Sequence, residues 1–258
     1  MKNLLVRAMT GIVLVAIIIG CTILGRPYLF GMTLFLSIIG IFEFFTVNKK
    51  LGYNPSIILG ILFSIILLTI DYLGYVKVEG TALIIYTFIV MGSMTFFDKF
   101  NLETTYLQVF VIMYIPLAFS RLILLSGTEI IWLVYICSWG TDTFAYLVGS
   151  VMGKHKLSKK LSPKKSIEGA IGGVVGCIIL TYIFAVFLKL DNKFVLMFVA
   201  AIGSVISQMG DLCASKFKRL SDTKDYGKIF LGHGGVLDRF DSVLFTAPYI
   251  YLVSILIY

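Results

Sequence analysis

The chain has 258 residues, 59% of them hydrophobic and 14% charged, with a mean hydropathy of +0.96. A soluble domain carries about 45–50% apolar and about 25% charged residues, so a soluble single domain is excluded and an integral membrane protein is indicated. The net charge is +8, from 22 Lys and Arg against 14 Asp and Glu, and charges this sparse carry information through their positions.

Apolar stretches near twenty residues, each enough to cross the hydrocarbon core as a helix, fall at 4–24, 27–47, 56–76, 80–97, 106–125, 130–151, 169–190, 193–213 and 240–258. Lys2 and Arg7 precede the first stretch as in a signal peptide, but no small-residue cleavage site follows, so it is expected to stay as a helix. The expected fold is an all-α polytopic membrane protein of about nine transmembrane helices in one membrane domain, 1–258. Residues 1–128 would supply five lipid-facing spans, serving as scaffold and dimer contacts; residues 129–258 hold the polar constellations. Cys21, Cys137, Cys177 and Cys213 lie in or beside apolar stretches without CxxC or His spacing and read as small buried residues rather than disulfides or metal ligands.

With nine spans, seventeen of the 22 Lys and Arg share a side with the amino terminus, which the positive-inside rule places in the cytoplasm. Glu43, Asp142, Glu168, Asp211 and Asp241 all fall toward that same side. Ionisable groups in hydrocarbon face cavities or partners, so these five carboxylates are expected to converge on one polar cavity open to the cytosol. Asp142 is the deepest, roughly 13 Å of helix rise from the end of its span.

In the sixth span Trp139, Asp142, Tyr146, Gly149 and Gly153 fall at helical spacing, reading either as a packing seam or as a functional stripe. The loop 153–168 carries six lysines and one acid. It serves as a topology signal and lipid-headgroup contact, or as an anion site in which Lys164, Lys165 and Ser166 flank the N–H groups of the next helix. In the eighth span Ser207, Asp211, Ser215 and Lys218 line one helix face, which no apolar packing argument explains. The loop then runs through Arg219, Lys224 and Asp225 to Gly232-His233-Gly234-Gly235-Val236-Leu237-Asp238-Arg239-Phe240-Asp241. Its glycines permit the close backbone approach of phosphate-cradling turns, and His233 suits either proton transfer or loop positioning. Carboxylates with phosphate-binding cations and no Cys/His cluster suit Mg²⁺ rather than zinc. No P-loop, HExxH or GxSxG motif occurs.

The run from Ser215 to Asp241, with Trp139…Asp142-Thr143, Ser162-Pro163-Lys164-Lys165-Ser166 and Glu168-Gly169 upstream, resembles the signature of the phosphatidate cytidylyltransferase (CDP-diacylglycerol synthase) family. Leu231 stands where that family usually has Pro, and Ser166 where it has Thr. The resemblance implies the reaction CTP + phosphatidate → CDP-diacylglycerol + diphosphate in phospholipid biosynthesis, at a site facing the cytoplasm, in the cell inner membrane. It also implies membrane lipids and no nucleic acid as partners, a homodimer, and one or two Mg²⁺ ions or Mg²⁺ with a monovalent cation. By that analogy Asp211 and Asp238 are metal ligands, and Lys218, Arg219, Lys224, Arg239, Lys164, Lys165 and Ser166 bind phosphates. Asp225, Asp241 and Asp142 orient those cations or take a second cation, while Ser207, Ser215, Gly234 and Gly235 line the substrate and His233 joins the catalytic group. A phosphomonoester is already an anionic nucleophile, so no Ser or Cys nucleophile is needed. Two alternatives stay open: a CTP-dependent lipid-alcohol kinase, which would release CDP, and a transporter of anionic solutes with its site at midplane acids.

Overall fold

The structure is a computed structural model that describes residues 2–97, 101–158, 160–230 and 234–257. Each expected span has a helical counterpart. Six helices are long and apolar enough to cross a membrane: Arg26–Lys49, Val76–Phe96, Leu102–Leu124, Ile131–Met152, Ile167–Phe187 and Lys193–Leu220. Met9–Leu24, Ile57–Leu73 and Val243–Ile257 are apolar but shorter. The chain is thus an all-α integral membrane protein apart from one short ribbon, and it packs as two compact units, Met1–Gly127 with Leu220–Arg239 and Thr128–Arg219 with Phe240–Tyr258.

The first unit is built from α1 (Lys2–Leu24), α2 (Arg26–Lys49), α3 (Ile57–Leu73), α4 (Val76–Phe96), α5 (Leu102–Tyr114) and α6 (Pro116–Leu124). Its core joins Leu36, Ile41, Phe44 and Phe45 of α2 to Leu67 and Leu68 of α3, Ile112 of α5, and Phe119 and Leu122 of α6, all buried. The expected fifth span is two helices because Pro116 has no N–H to continue the ladder. Gln108 fastens the unit from within: it accepts the Ser56 N–H at 2.8 Å and donates to the Ser56 carbonyl and the Tyr86 hydroxyl at 3.1 and 2.9 Å.

The first five spans are therefore not plain lipid-facing sequence. Asp71 near the end of α3 is fully buried, and Arg121 of α6 reaches it at 3.5 Å while also donating to Glu79 in the first turn of α4. Arg26 at the start of α2 donates to the Asp71 carbonyl at 2.7 Å. Four helices are joined through these charges at one end of the unit.

The second unit holds α7 (Ile131–Tyr135), a π-helical turn (Ile136–Gly140), α8 (Thr141–Met152), α9 (Ile167–Phe187), α10 (Lys193–Leu220) and α12 (Val243–Ile257); α11 (Leu237–Phe240) precedes the last. Glycines bring α8 and α9 together: a Cβ on Gly176 would lie 2.1 Å from the Phe144 ring, and one on Gly173 would lie 3.0 Å from the Thr141 carbonyl. The π turn admits an extra residue per turn, which shifts the phase between Trp139 and the residues after it. The expected stripe is split accordingly, with Trp139 stacked on Tyr135 at 5.0 Å, Tyr146 exposed, and Gly149 facing Ser166 and Gly169. Buried hydroxyls pair across the unit, Ser138 with Thr246 at 2.7 Å and Thr141 with Ser204 at 2.8 Å.

The lysine-rich loop contains an antiparallel ribbon, β1 (Lys156–Ser158) and β2 (Ser162–Ser166), which feeds directly into α9. The eighth expected span continues as one helix to Leu220, which keeps Ser215 and Lys218 on the expected helix face and makes Arg219 helical rather than part of the loop. Lys218 and Arg219 then sit in the last turn, where cations favour the helix dipole.

Replacing Arg121 with Met leaves Asp71 and Glu79 buried together without their cation, at a cost of about 3–5 kcal/mol. The expected outcome is a melting temperature in detergent about 10 °C below wild type, partly recovered by adding Asp71→Asn. An unchanged melting temperature in Arg121→Met would show that the cluster does not hold the helices.

Candidate functional site

In β2 Lys164 is exposed and Lys165 half-buried. In the second unit the Lys165 ammonium forms an ion pair with the Asp211 carboxylate of α10. Burial pushes the Lys165 ammonium below its usual range, Asp142 and Asp241 act in the opposite sense, and Lys218 reinforces the depression. Asp241, buried, feels Asp142, Lys218 and Lys165 and accepts the Ser242 N–H at 2.8 Å. Gly210 permits this grouping, because a Cβ there would lie 2.8 Å from the Asp241 carbonyl oxygen and equally close to the Phe245 ring. Asp142, Asp211 and Asp241 with Lys165 and Lys218 make a mixed cluster in which carboxylates outnumber ammoniums by one.

Ser207 lies one turn below Asp211, fully buried, and its Oγ has no hydrogen-bond partner among the described residues. Ser215, half-buried, lies one turn above Asp211. Ser166 caps α9: its Oγ accepts the Gly169 N–H at 3.1 Å, while the Ile167 N–H goes to the His155 carbonyl at 2.9 Å. Glu168 does not join the other acids. It accepts the backbone N–H groups of Lys154 and His155 and pairs with the His155 ring at 2.6 Å. The expected anion site at the start of α9 is thus largely occupied by the protein's own groups, and the half-buried Lys165 carries its cationic character.

In the first unit the signature loop is organised by two carboxylates. Asp238 Oδ2 accepts the N–H groups of Tyr226 at 2.8 Å and Gly235 at 2.9 Å. Glu43 of α2, 2% exposed, accepts the N–H groups of Val236 and Leu237 with its two oxygens, each at 3.0 Å. Tyr226 is buried and its ring stacks on Phe44, 6.1 Å between centroids at 26°. Gly234 has φ +85°, a left-handed conformation that favours glycine, and the Phe230 N–H donates to its carbonyl at 3.0 Å. Lys224, Asp225 and Arg239 are exposed. Leu231, Gly232 and His233, and with them the expected role of His233, lie outside the described residues.

Oxygen donors without thiolate or imidazole among these carboxylates fit a hard cation such as Mg²⁺. Among the described residues no three His, Cys, Asp or Glu side chains group closely enough to enclose a metal. Asp211 and Asp238 belong to different units.

The sequence grouped Glu43 with the acids expected to converge on one cytosolic cavity and left its task as a backbone acceptor unassigned. The available signal was an acid set between Phe42 and Phe44 in an apolar helix, with glycines at 227 and 235 where a partner needed room.

The chain is similar along its length to proteins of known family. The profile of the Cytidylyltransferase family matches residues 5–257. A Staphylococcus epidermidis protein named phosphatidate cytidylyltransferase is 34% identical over 256 residues, covering 97% of this chain and 98% of that protein. Proteins of the same name from Bacillus subtilis and Staphylococcus aureus are 31% identical over 265 residues (96% of each chain) and 34% identical over 256 residues (97% of this chain and 98% of that protein).

Proposed function

This chain belongs to the Cytidylyltransferase family, and from that premise we propose that it is a phosphatidate cytidylyltransferase, converting CTP and phosphatidate to CDP-diacylglycerol and diphosphate. The observation that carries the assignment to a site is the cluster of Asp142, Lys165, Asp211, Lys218 and Asp241. Its charges suit polyanions that arrive with a cation: the ammoniums offer charge-assisted contacts to phosphate oxygens, and the excess carboxylate answers the cation.

In the proposed reaction a phosphatidate phosphate oxygen attacks the α-phosphorus of CTP; that P–O bond forms as the α–β P–O bond breaks, and diphosphate leaves with its electron pair. The protein has little covalent chemistry to perform, and rate comes from alignment and charge neutralisation. Lys165 and Lys218, with Arg219, Lys224 and Arg239, are assigned to the phosphates. Lys164, exposed on β2, is assigned to outer phosphate or headgroup contact. Asp211 and Asp238 are the carboxylates assigned to Mg²⁺, which when bound would supply positive charge to offset that of the phosphates. Asp142 and Asp241 hold Lys165 and Lys218 in place, so that the ammoniums are oriented before the substrate enters.

We further propose nine spans in one membrane domain, a cytoplasmic amino terminus and site, residence in the cell inner membrane, and a homodimer. The distribution of Lys and Arg supports the orientation. The rise of α2 from Arg26 to Glu43 is about 26 Å. It separates the buried ion cluster of the first unit from the signature loop by close to a bilayer core.

Purified protein in detergent with Mg²⁺ is expected to release diphosphate only when CTP and phosphatidate are both present. Release of CDP with a newly phosphorylated lipid would replace this reading with the kinase. Asp211→Asn and Asp238→Asn are each expected to lose turnover by at least about 100-fold with an unchanged elution profile; near-normal turnover in either removes that carboxylate from the metal site. Lys165→Met is expected to lose about 100-fold and Lys164→Met less than about 10-fold. Equal losses would contradict the separate roles assigned to the two side chains.

A further inference from the structure

Glu43 is separated by more than 190 residues from the amides it binds, and the chemistry proposed above does not use it. Its position is unusual in three respects. It is 2% exposed on a membrane helix, where an ionised group persists only with close partners. Both of its oxygens serve as acceptors for successive backbone N–H groups, at Val236 and Leu237. And two glycines of the loop are shaped around it: a Cβ on Gly227 would lie 2.2 Å from Glu43 Oε1, and a Cβ on Gly235 would lie 2.3 Å from the same atom.

These contacts enclose the carboxylate on the loop side. The segment it grips carries Asp238 one residue beyond Leu237, and Asp238 in turn accepts the Tyr226 and Gly235 N–H groups. Tyr226 packs on Phe44, the residue after Glu43, and Leu237 meets α2 again at Gly40, where a Cβ would lie 3.1 Å from its side chain. One turn of α2 therefore holds the loop by its backbone, by an aromatic stack and by an apolar contact. A backbone fixed at 235, 236 and 237 sets the direction in which the Asp238 side chain leaves the chain.

We propose that Glu43 is a positioning residue for the cytidylyltransferase reaction: its carboxylate docks the backbone of the signature loop onto α2 and thereby fixes the placement of Asp238. This rests on the functional reading above. Glutamine at 43 keeps the size but replaces one acceptor with an NH₂ group facing an N–H, leaving a buried donor unsatisfied. Alanine at 227 leaves Glu43 intact and displaces its carboxylate by steric contact. Both changes break the same docking by different routes, so their effects are expected not to multiply.

The experiment compares wild type, Glu43→Gln, Gly227→Ala and the double variant in detergent with Mg²⁺, CTP and phosphatidate, and measures amide hydrogen exchange on the same preparations. Each single variant is expected to lower kcat by about 10- to 100-fold, as misplacement of reacting groups does, with KM for CTP within about threefold of wild type. The double variant is expected to be no more than about threefold worse than the poorer single one. Exchange at 234–237 is expected to rise at least about tenfold in Glu43→Gln, with the amides of α9 unchanged. A drop confined to the amount of folded protein, or losses that multiply in the double variant, would overturn the positioning role. Unchanged exchange at 234–237 overturns the docking while leaving the functional reading intact. Wild-type protein that forms no CDP-diacylglycerol overturns the functional reading, and with it any role of Glu43 in that reaction.

Discussion

An ionised group in hydrocarbon is stable only when something close by answers its charge, and this chain answers buried charge in three different ways. At Asp71, Glu79 and Arg121 the answer is a side-chain cation, supplemented by Arg26 on the Asp71 carbonyl. At Glu43 it is a pair of backbone N–H groups. At Asp211 and Asp241, with the exposed Asp142 beside them, it is Lys165 and Lys218. The first two sets of partners lie within the fold and fasten helices and loop. The third sets ammoniums that attract negative charge beside carboxylates that attract positive charge, which is why it is the site proposed for an anionic substrate accompanied by a cation.

The consequence for architecture is clearest in α2. Its first residue belongs to the ion cluster at one end of the first unit, and Glu43, four turns and more along, holds the signature loop at the other. Between them the helix is anchored by Phe44, Phe45, Ile41 and Leu36, all buried. A continuous helix with packed side chains transmits position over that length with little give. The loop is thereby referenced to a rigid element rather than to its own flexible neighbours.

Helix positions were legible in the sequence because hydrocarbon imposes a length and composition on each span, and Ser207, Asp211, Ser215 and Lys218 kept their common face because α10 runs unbroken to Leu220. Three local features escaped. The π turn at 136–140 changes side-chain phase without altering composition, so Trp139, Asp142 and Tyr146 looked aligned in a strict 3.6-residue reading. The ribbon at 156–166 was hidden because lysine and serine have little strand preference, and its pairing is set by the turn and by the start of α9. The partner of Glu43 lies nearly two hundred positions away, beyond the reach of any local periodicity. The buried cluster at Asp71 was missed for the same reason, since α3, α4 and α6 each contribute a single charged residue that is unremarkable in its own stretch.

The glycines of the signature loop show how a correct motif can carry a different physical meaning. Gly234 and Gly235 next to cations suggest a nest whose backbone N–H groups cradle a phosphate. In the structure the N–H groups of Tyr226, Gly235, Val236 and Leu237 are all taken by carboxylates of the protein itself, Asp238 for the first two and Glu43 for the others. Gly227 and Gly235 are small because the Glu43 carboxylate occupies the space a methyl group would fill, and Gly234 leaves the same room for Asp238. The loop therefore holds internal anions with its backbone, while Lys224 and Arg239, the side chains proposed for external phosphates, are exposed. Phosphate affinity in this loop should accordingly depend on those cations, whereas its glycines govern how well the loop is seated.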